Sequence, residues 1–593
     1  MTQDQEQQGE QDPGAGPAAP CYGSDVMVDV LRHQGIRYLA LNPGASFRGL
    51  HDSVVNYGEN EPEIILVPHE KVAVGIAHGY AKATGEAMGV VLHDLVGLLH
   101  GTMGVYYAYT DRVPMLVLGG AGPMDAARRR PWIDWVHTAD SQNTAVRDFT
   151  KWDDHPYSVE AVPDSLARAY RIATTEPAGP VYVALDADLQ EQVVTGERPV
   201  PTVLPQPSRI APDPDALAAV ADELVAARRP VLVTGSVCRD HAMWDVLAEL
   251  ATTLAAGVVD TGIRTNIAST HPLNVTGSDV LAEADVVVLL DIKDVGQHTQ
   301  LMTKEVRGDR LALAPGTRVL EIGFADVGIS SWSADHGSVV TSDRTVLADT
   351  SLALPALLEL VRERVAADDG AATRRRAERT AALAAVHRDL RAAWLATAEA
   401  HVPGEPMSTP RLVLEVGRAL QGEDWVLTAG TGNGWAPRLW DVDRVDRHPG
   451  RSLGTATQIG IALGVALAYR GTDRLVVDLQ PDGDLMFDAG ALWVAAHHRI
   501  PMLVVMVNNR AYNNDWVHQK HMARERGNPQ ERARIGITIE DPAPDFAGLA
   551  RSMGWWAEGP VHDPDDVVPA VRRAIEVIRT TGGPALVDVV CRP

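Results

Sequence analysis

The 593-residue chain reads as an α/β protein made of three doubly wound, parallel-sheet domains. Short, mostly apolar strands alternate with helical stretches along most of its length, the pattern of a sheet covered by helices on both faces. Two such strands near the C-terminus, Leu475 to Leu479 and Met502 to Val507, are joined by a stretch with helical periodicity, as parallel neighbours require. The length has room for about three domains, and the 45% hydrophobic content suffices for their cores.

In order along the chain, residues 1–20 are rich in Gln, Glu, Gly and Pro and are expected to form a disordered tail. An N-terminal domain over 21–195 carries strands at Tyr38–Leu41, Ile64–Val67, Val90–Leu92, Met115–Leu118 and Val181–Ala184. Within it, Pro68-His69-Glu70 opens a helix that has Val72, Ala73, Ile76, Ala77 and Tyr80 on one side and Gly85 as its stop. The Pro-rich segment 199–214 reads as a linker. The central α/β domain, 208–362, has strands at Pro230–Thr234, Val258–Asp260, Val286–Asp291 and Arg318–Ile322 and no Gly-rich dinucleotide fingerprint. A helical linker over 363–404 is Ala- and Arg-rich, with Arg374, Arg375 and Arg376 placed on a solvated face. The last domain spans 405–593.

Net charge −25 and pI about 5.2 argue against nucleic acid or an anionic membrane as partner. Cys21, Cys238 and Cys591 have neither paired nor metal-ligand spacing, which suits a reducing cytoplasm. No apolar run is long enough for a bilayer, and the first residues lack the basic and apolar regions of a signal peptide, so a cytoplasmic location is expected.

The richest chemistry follows the strand Leu475–Leu479, which empties into Pro481-Asp482-Gly483-Asp484. The strand Met502–Val507 ends in Asn508-Asn509. The segment Leu485–Ile500 between them reads as one crossover helix, with Met486, Leu492, Trp493, Ala496 and His497 at helical intervals. Strand ends at one edge of an open sheet are where ligands commonly bind. Magnesium takes oxygen ligands and keeps several from water and phosphate, and Asp482 and Asn509, 27 residues apart, are suitable donors. Asp-Gly by itself is also a common turn. The arrangement resembles the thiamine diphosphate enzymes, whose signature is Gly-Asp-Gly, a helix and then Asn-Asn. That resemblance implies Asp482, Asn509 and the Ala511 carbonyl as Mg2+ ligands, with Gly483 and Asp484 beside the diphosphate. The first glycine of the signature is Pro481 here, which offers no amide hydrogen.

The N-terminal domain carries a matching frame: Asn42-Pro43-Gly44, His69-Glu70, Gly79-Tyr80-Ala81, His93, Gly97, Ala108, Asp111, Pro114 and Gly179-Pro180. With Gln142 and His271-Pro272-Leu273-Asn274, it is similar to the acetolactate synthases and benzoylformate decarboxylases. The resemblance covers most of 22–593. It implies that Glu70, which could otherwise be a dipole-stabilising residue of a first helical turn, bonds a ring nitrogen of the cofactor's aminopyrimidine and activates it. It places Gly432 and Asn433, in the turn after the strand beginning at Leu427, on the diphosphate. The bulky residue that bends the cofactor falls on Leu453 or Thr455. His93 and His298 stand where the decarboxylases keep a proton-relay pair. The serine of those enzymes is Ala45 here, with Ser46 one step later, and Leu98-Leu99-His100 replaces a small turn, which implies a reshaped pocket. Arg510, Tyr512, Trp516 and His518 belong to a segment that is either a lid over the site or a surface loop.

The function expected is therefore a thiamine diphosphate- and Mg2+-dependent decarboxylase or carboligase acting on a small 2-oxo acid, in a homodimer or homotetramer. Two alternatives stand beside it: an acetolactate synthase proper with FAD in its central domain, and a non-catalytic scaffold member of the family.

Overall fold

The computed structural model describes residues 20–299, 312–328, 332–333, 339–400, 404–451 and 455–592. The expected tail, 1–20, lies outside these residues except for Pro20, and Leu453 lies outside them altogether.

The described strands form three parallel sheets. The first contains β1 (Tyr38–Leu41), β2 (Glu63–Leu66), β3 (Met88–Leu92), β4 (Met115–Ala121), β5 (Asp153–Asp154) and β6 (Pro180–Asp186), in the order β2-β1-β3-β4-β6-β5. The second contains β7 (Pro230–Thr234), β8 (Gly257–Asp260), β9 (Val286–Leu290), β10 (Arg318–Gly323) and β11 (Arg344–Leu347), in the order β11-β10-β9-β7-β8. The third contains β12 (Met407–Ser408), β13 (Trp425–Thr431), β14 (Leu475–Pro481), β15 (Leu503–Asn508), β16 (Trp556–Val561) and β17 (Ala585–Arg592); its order is β12-β17-β15-β14-β13, and β16 also pairs with β17. Central strands such as β3, β9 and β15 are buried throughout, as continuous apolar runs covered on both faces should be. The strands and the Gly370–Glu399 helix fall within a few residues of their expected positions. Arg374 and Arg375 are exposed, whereas Arg376 turns in to pair with Asp368 at 2.5 Å.

The first and third sheets are joined by two helices, Glu70–Thr84 and Gln458–Ala468, that share one apolar core through Val72, Ile76, Tyr80, Ile459 and Leu463. Their backbones approach closely. A side-chain carbon at Gly79 would lie 2.0 Å from the Ile461 carbonyl oxygen, and one at Gly464 would lie 2.0 Å from that of Ile76. Only glycine permits this seam, and the seam fixes Glu70 relative to the third sheet.

The segment Leu485–Ile500 departs from the expected single helix. A short turn, Asp482–Leu485, ends at once; Asp488 leaves helical geometry (φ −140°, ψ 43°), and helix resumes only through Ala489–Ala491 into Leu492–His497. The reason is tertiary: the Asp488 carboxylate is drawn to Lys71, 2.8 Å away in the Glu70 helix. Met486, counted as a helix-face residue from its spacing, is consequently exposed, as is Phe487 beside it.

Candidate active site

At the edge of the third sheet, Pro481 pairs with Val507 in parallel register, so Asp482 and the Asn508-Asn509 pair emerge side by side. Asp482 is 1% exposed. One carboxylate oxygen accepts the Gly483 amide at 2.8 Å, while Oδ2 is buried with no partner. Burial pushes this carboxyl up to about 6, against the Gly483 hydrogen bond and the nearby amides of Arg510 and Ala511. Asn509 Oδ1 accepts the Ala511 amide at 3.0 Å, and the Ala511 carbonyl accepts from Asn513 at 2.8 Å. Both oxygens retain a lone pair. An all-oxygen set around an orphaned buried carboxylate oxygen fits magnesium, and those three groups are the ones that would hold it.

Beside it, β13 ends in three successive left-handed residues, Gly432 (φ 56°), Asn433 (φ 57°) and Gly434 (φ 82°). A side-chain carbon at Gly432 would meet the Val413 methyl at 2.6 Å, so this tight turn belongs to glycine. Asp484 is turned away from the role its position suggests. Its carboxylate accepts the amides of Ala456 (2.6 Å) and Gln458 (3.3 Å), capping the second seam helix, so the extra negative charge is spent on orphan helix donors. Thr455 is exposed, and its amide donates to the Tyr107 hydroxyl at 3.3 Å.

The other end is built on the first sheet. Glu70 lies in the first turn of its helix, 7% exposed, with Oε2 3.1 Å from His100 Nδ1. The His100 ring stacks on His69 with centroids 5.0 Å apart. A side-chain carbon at Gly97 would come within 3.4 Å of Glu70 Oε1, so the glycine leaves that oxygen room. His93 caps the next helix; its Nδ1 is 2.8 Å from Ser46 Oγ and its ring meets His137 edge-on at 5.3 Å. Burial and then the neighbouring His137 lower its pKa from the ordinary 6.5. Asp94, in strained left-handed backbone (φ 38°), is 1% exposed, has an unpartnered Oδ1, and is pushed up to about 7 by burial.

Glu70, His93, Ser46, Asp94, His100 and His137 thus form one group. Ser46 and His100 were visible only as departures from the family pattern; Asp94 follows His93 directly but only its burial marks it out, and His137 carried no sequence signal because a separate element brings it to His93. His298, in the Val295–Thr299 helix, stands apart from them in the single chain. Its pKa is lowered to about 4 by burial, with Arg451 adding to the effect and Asp294 opposing it. Gln142 is a core residue, 4% exposed, donating to the Gly120 carbonyl and the Tyr182 hydroxyl, each at 2.8 Å.

Two sheet edges so equipped fit the two halves of a thiamine diphosphate-binding protein. Residues 22–144 match the family model described as "Thiamine pyrophosphate enzyme, N-terminal TPP binding domain", and residues 428–589 match its "C-terminal TPP binding domain". The chain belongs to the thiamine diphosphate-dependent enzymes, in the group that holds acetolactate synthases and related decarboxylases. It is 25% identical over 555 residues to a Pseudomonas aeruginosa protein described as "Probable 2-ketoarginine decarboxylase", covering 91% of this chain and 89% of that one. It is 24% identical over 553 residues to the acetolactate synthase large subunit of Lactococcus lactis, covering 90% and 87%. Among solved structures, the Rhodococcus jostii 4-hydroxybenzoylformate decarboxylase superposes with a TM-score of 0.73 at 20% identity, and the Polynucleobacter necessarius benzoylformate decarboxylase with 0.74 at 18%. Each alignment covers 96% of this chain and 99% of the other, which establishes the three-sheet fold.

Proposed function

We propose that the protein is a Mg2+- and thiamine diphosphate-dependent enzyme that decarboxylates a small 2-oxo acid and releases an aldehyde or joins the remaining carbons to a second carbonyl compound. The observation that carries this reading is the pairing of a buried glutamate, Glu70, on one sheet edge with an orphaned buried carboxylate oxygen, Asp482 Oδ2, on another. A scaffold has no need for either group, since each costs stability unless something binds it.

In this reading Asp482, Asn509 and the Ala511 carbonyl would hold Mg2+, and Gly432, Asn433, Gly483 and the Asp484 turn would receive the diphosphate. Glu70 would take the aminopyrimidine, and Leu453 or Thr455 would support the cofactor between its rings. When bound, thiamine diphosphate supplies a carbon nucleophile and accepts the electron pair left by the departing carboxylate. His93 is neutral at neutral pH and can take or deliver a proton through Ser46 Oγ or the Asp94 carboxyl beside it, which burial brings to titrate at about 7. His298 serves as the second proton carrier if a partner subunit brings it to His93. A dimer is the smallest working unit in this reading and a tetramer its extension. Exposed apolar side chains at the rims of both ends, Leu99 and Met103 on one and Met486 and Phe487 on the other, support such an interface. The folding units are taken as 21–195, 208–362 and 405–593, with 363–404 as the helical link. The three unpaired cysteines support a reducing cytoplasm.

Mass spectrometry of products tests the proposal. The purified protein is incubated with Mg2+ and thiamine diphosphate against pyruvate, branched-chain, aromatic and guanidino 2-oxo acids. Cofactor-dependent aldehyde would mark a decarboxylase, and a hydroxyketone or acetohydroxy acid a carboligase. Absence of product from every acid, with thiamine diphosphate shown to be bound, would refute the reading.

A further inference from the structure

In an open parallel sheet a cofactor binds in the crevice where neighbouring strands lead off to opposite sides. In the second sheet that point lies between β7 and β9, because the chain passes from β7 to β8 on one side and the remaining strands continue on the other. This is the place for a flavin in the central domain, as the acetolactate synthase alternative would require.

The crevice is filled by the protein itself. Arg239, just beyond β7, puts Nη1 on Asp291 at the end of β9, Nη2 on Asp349 at 2.7 Å and Nε on Glu176 at 2.8 Å. Arg112 Nη1 reaches the second oxygen of Asp291 at 2.6 Å. Asp291 and Asp349 are 3% and 2% exposed. The amides that would receive a phosphate after β7 are already used: Gly235 donates to the Leu290 carbonyl at 2.9 Å and Ser236 to that of Asp291 at 3.2 Å. Strand ends are packed to contact, since a side-chain carbon at Gly235 would lie 2.2 Å from the Asp291 carbonyl oxygen, and one at Gly323 would lie 3.0 Å from its Cα. A cleft of about 800 Å3 remains between the first and second sheets, walled in part by Arg112, Arg239 and Asp349 of the cluster. Along it Arg209 is engaged by Asp240 and Ser351, and Arg264 by the carbonyls of Lys82 and Pro449.

We infer that the central domain has given up cofactor binding: a buried charge cluster, centred on Arg239, clamps this domain to the N-terminal one and leaves neither the strand-end amides nor the Arg239 guanidinium free to hold a flavin or another nucleotide. Glu176 and Arg112 come from the first domain, Arg239, Asp291 and Asp349 from the second, so the cluster crosses the junction a bound dinucleotide would otherwise occupy. Truncating the central guanidinium takes a cationic partner from three carboxylates, two of them almost fully buried, and leaves Asp291 to Arg112 and Asp349 to the donors of Ser351, which is a costly change for a fold.

Two measurements on the full-length protein test this, and neither depends on its reaction. First, the purified protein is scanned for flavin absorbance, then titrated with FAD and ADP by calorimetry and thermal shift. The expected result is a colourless protein, no saturable heat and no change in Tm. A yellow protein with near-stoichiometric flavin, or a saturable Tm increase with either nucleotide, would overturn the inference. Second, Arg239→Met is expected to lower Tm by several degrees and to expose the 199–213 segment to limited proteolysis, with Arg239→Lys recovering part of the loss. A Met variant that melts and resists protease like the parent would overturn the clamp, and failure of that variant to fold would support it provided the Lys variant folds.

Discussion

The seam between the Glu70 helix and the Gln458 helix gives a quantitative test of how the site is held. Gly79→Ala adds one methyl carbon that would lie 2.0 Å from the Ile461 carbonyl oxygen, 2.8 Å from its carbon and 3.0 Å from the Ile461 Cα, all backbone atoms with no rotamer to relieve them. Ordinary contact begins near 3.4 Å, so the two helices must separate by roughly 1.4 Å or bend. Overpacking of this kind costs about 1–3 kcal/mol, which for domains of this size lowers Tm by roughly 2–12 °C. The displaced element carries Glu70, and a misplacement of about 1 Å can cost about 100-fold in rate. Differential scanning fluorimetry and steady-state kinetics, with Gly85→Ala as control, provide the assay. Gly85 (φ 76°) has open space around it, so its alanine should show only a backbone penalty of about 1–2 kcal/mol, with catalysis retained. If Gly79→Ala matches the parent in both Tm and turnover, the close seam is not what positions Glu70.

Glu70→Gln keeps the volume and the contact to His100 but removes the carboxylate; turnover should fall about 100- to 10,000-fold with Tm nearly unchanged, and unaltered turnover would sink the assignment of Glu70. Dialysis against EDTA should strip thiamine diphosphate from a still-folded protein, and Mg2+ should restore binding measured by calorimetry; full cofactor affinity in EDTA would exclude the proposed metal bridge. Asp478, fully buried on β14, is pushed up to about 7 by burial, although Thr428 and Gln458 donate to it. A raised carboxyl pKa adds stability that is complete below the ordinary value of 3.8 and is lost as pH climbs through about 7. At pH 8 the charged group therefore costs about 4 kcal/mol. Asp478→Asn, which keeps the accepting oxygen, should raise Tm more at pH 8 than at pH 5, and an equal or opposite shift would refute the burial argument.

Much of the architecture was legible because strands and their turns write a local record. Tyr38–Leu41 and Pro230–Thr234 lie where their apolar runs place them, and Gly85 ends its helix in the left-handed conformation expected of a glycine stop. Helical spacing was misleading over Leu485–Ile500, since nothing near Asp488 in the chain reveals Lys71 as its partner. Matching by position gave no hint that the Asp484 carboxylate caps a helix.

The sequence alone determined three alternating α/β stretches, the oxygen donors at Asp482 and Asn509, and the glutamate that opens a helix at position 70, because each is written in neighbouring residues or in one short motif. Tertiary structure decided the rest: that Asp482 keeps an oxygen without a partner, that Ser46 and His137 gather at His93, that Asp94 is buried, that His298 stands apart, and that Arg239 fills the central crevice. Those outcomes depend on burial and on partners from distant parts of the chain, and neither leaves a local pattern to read.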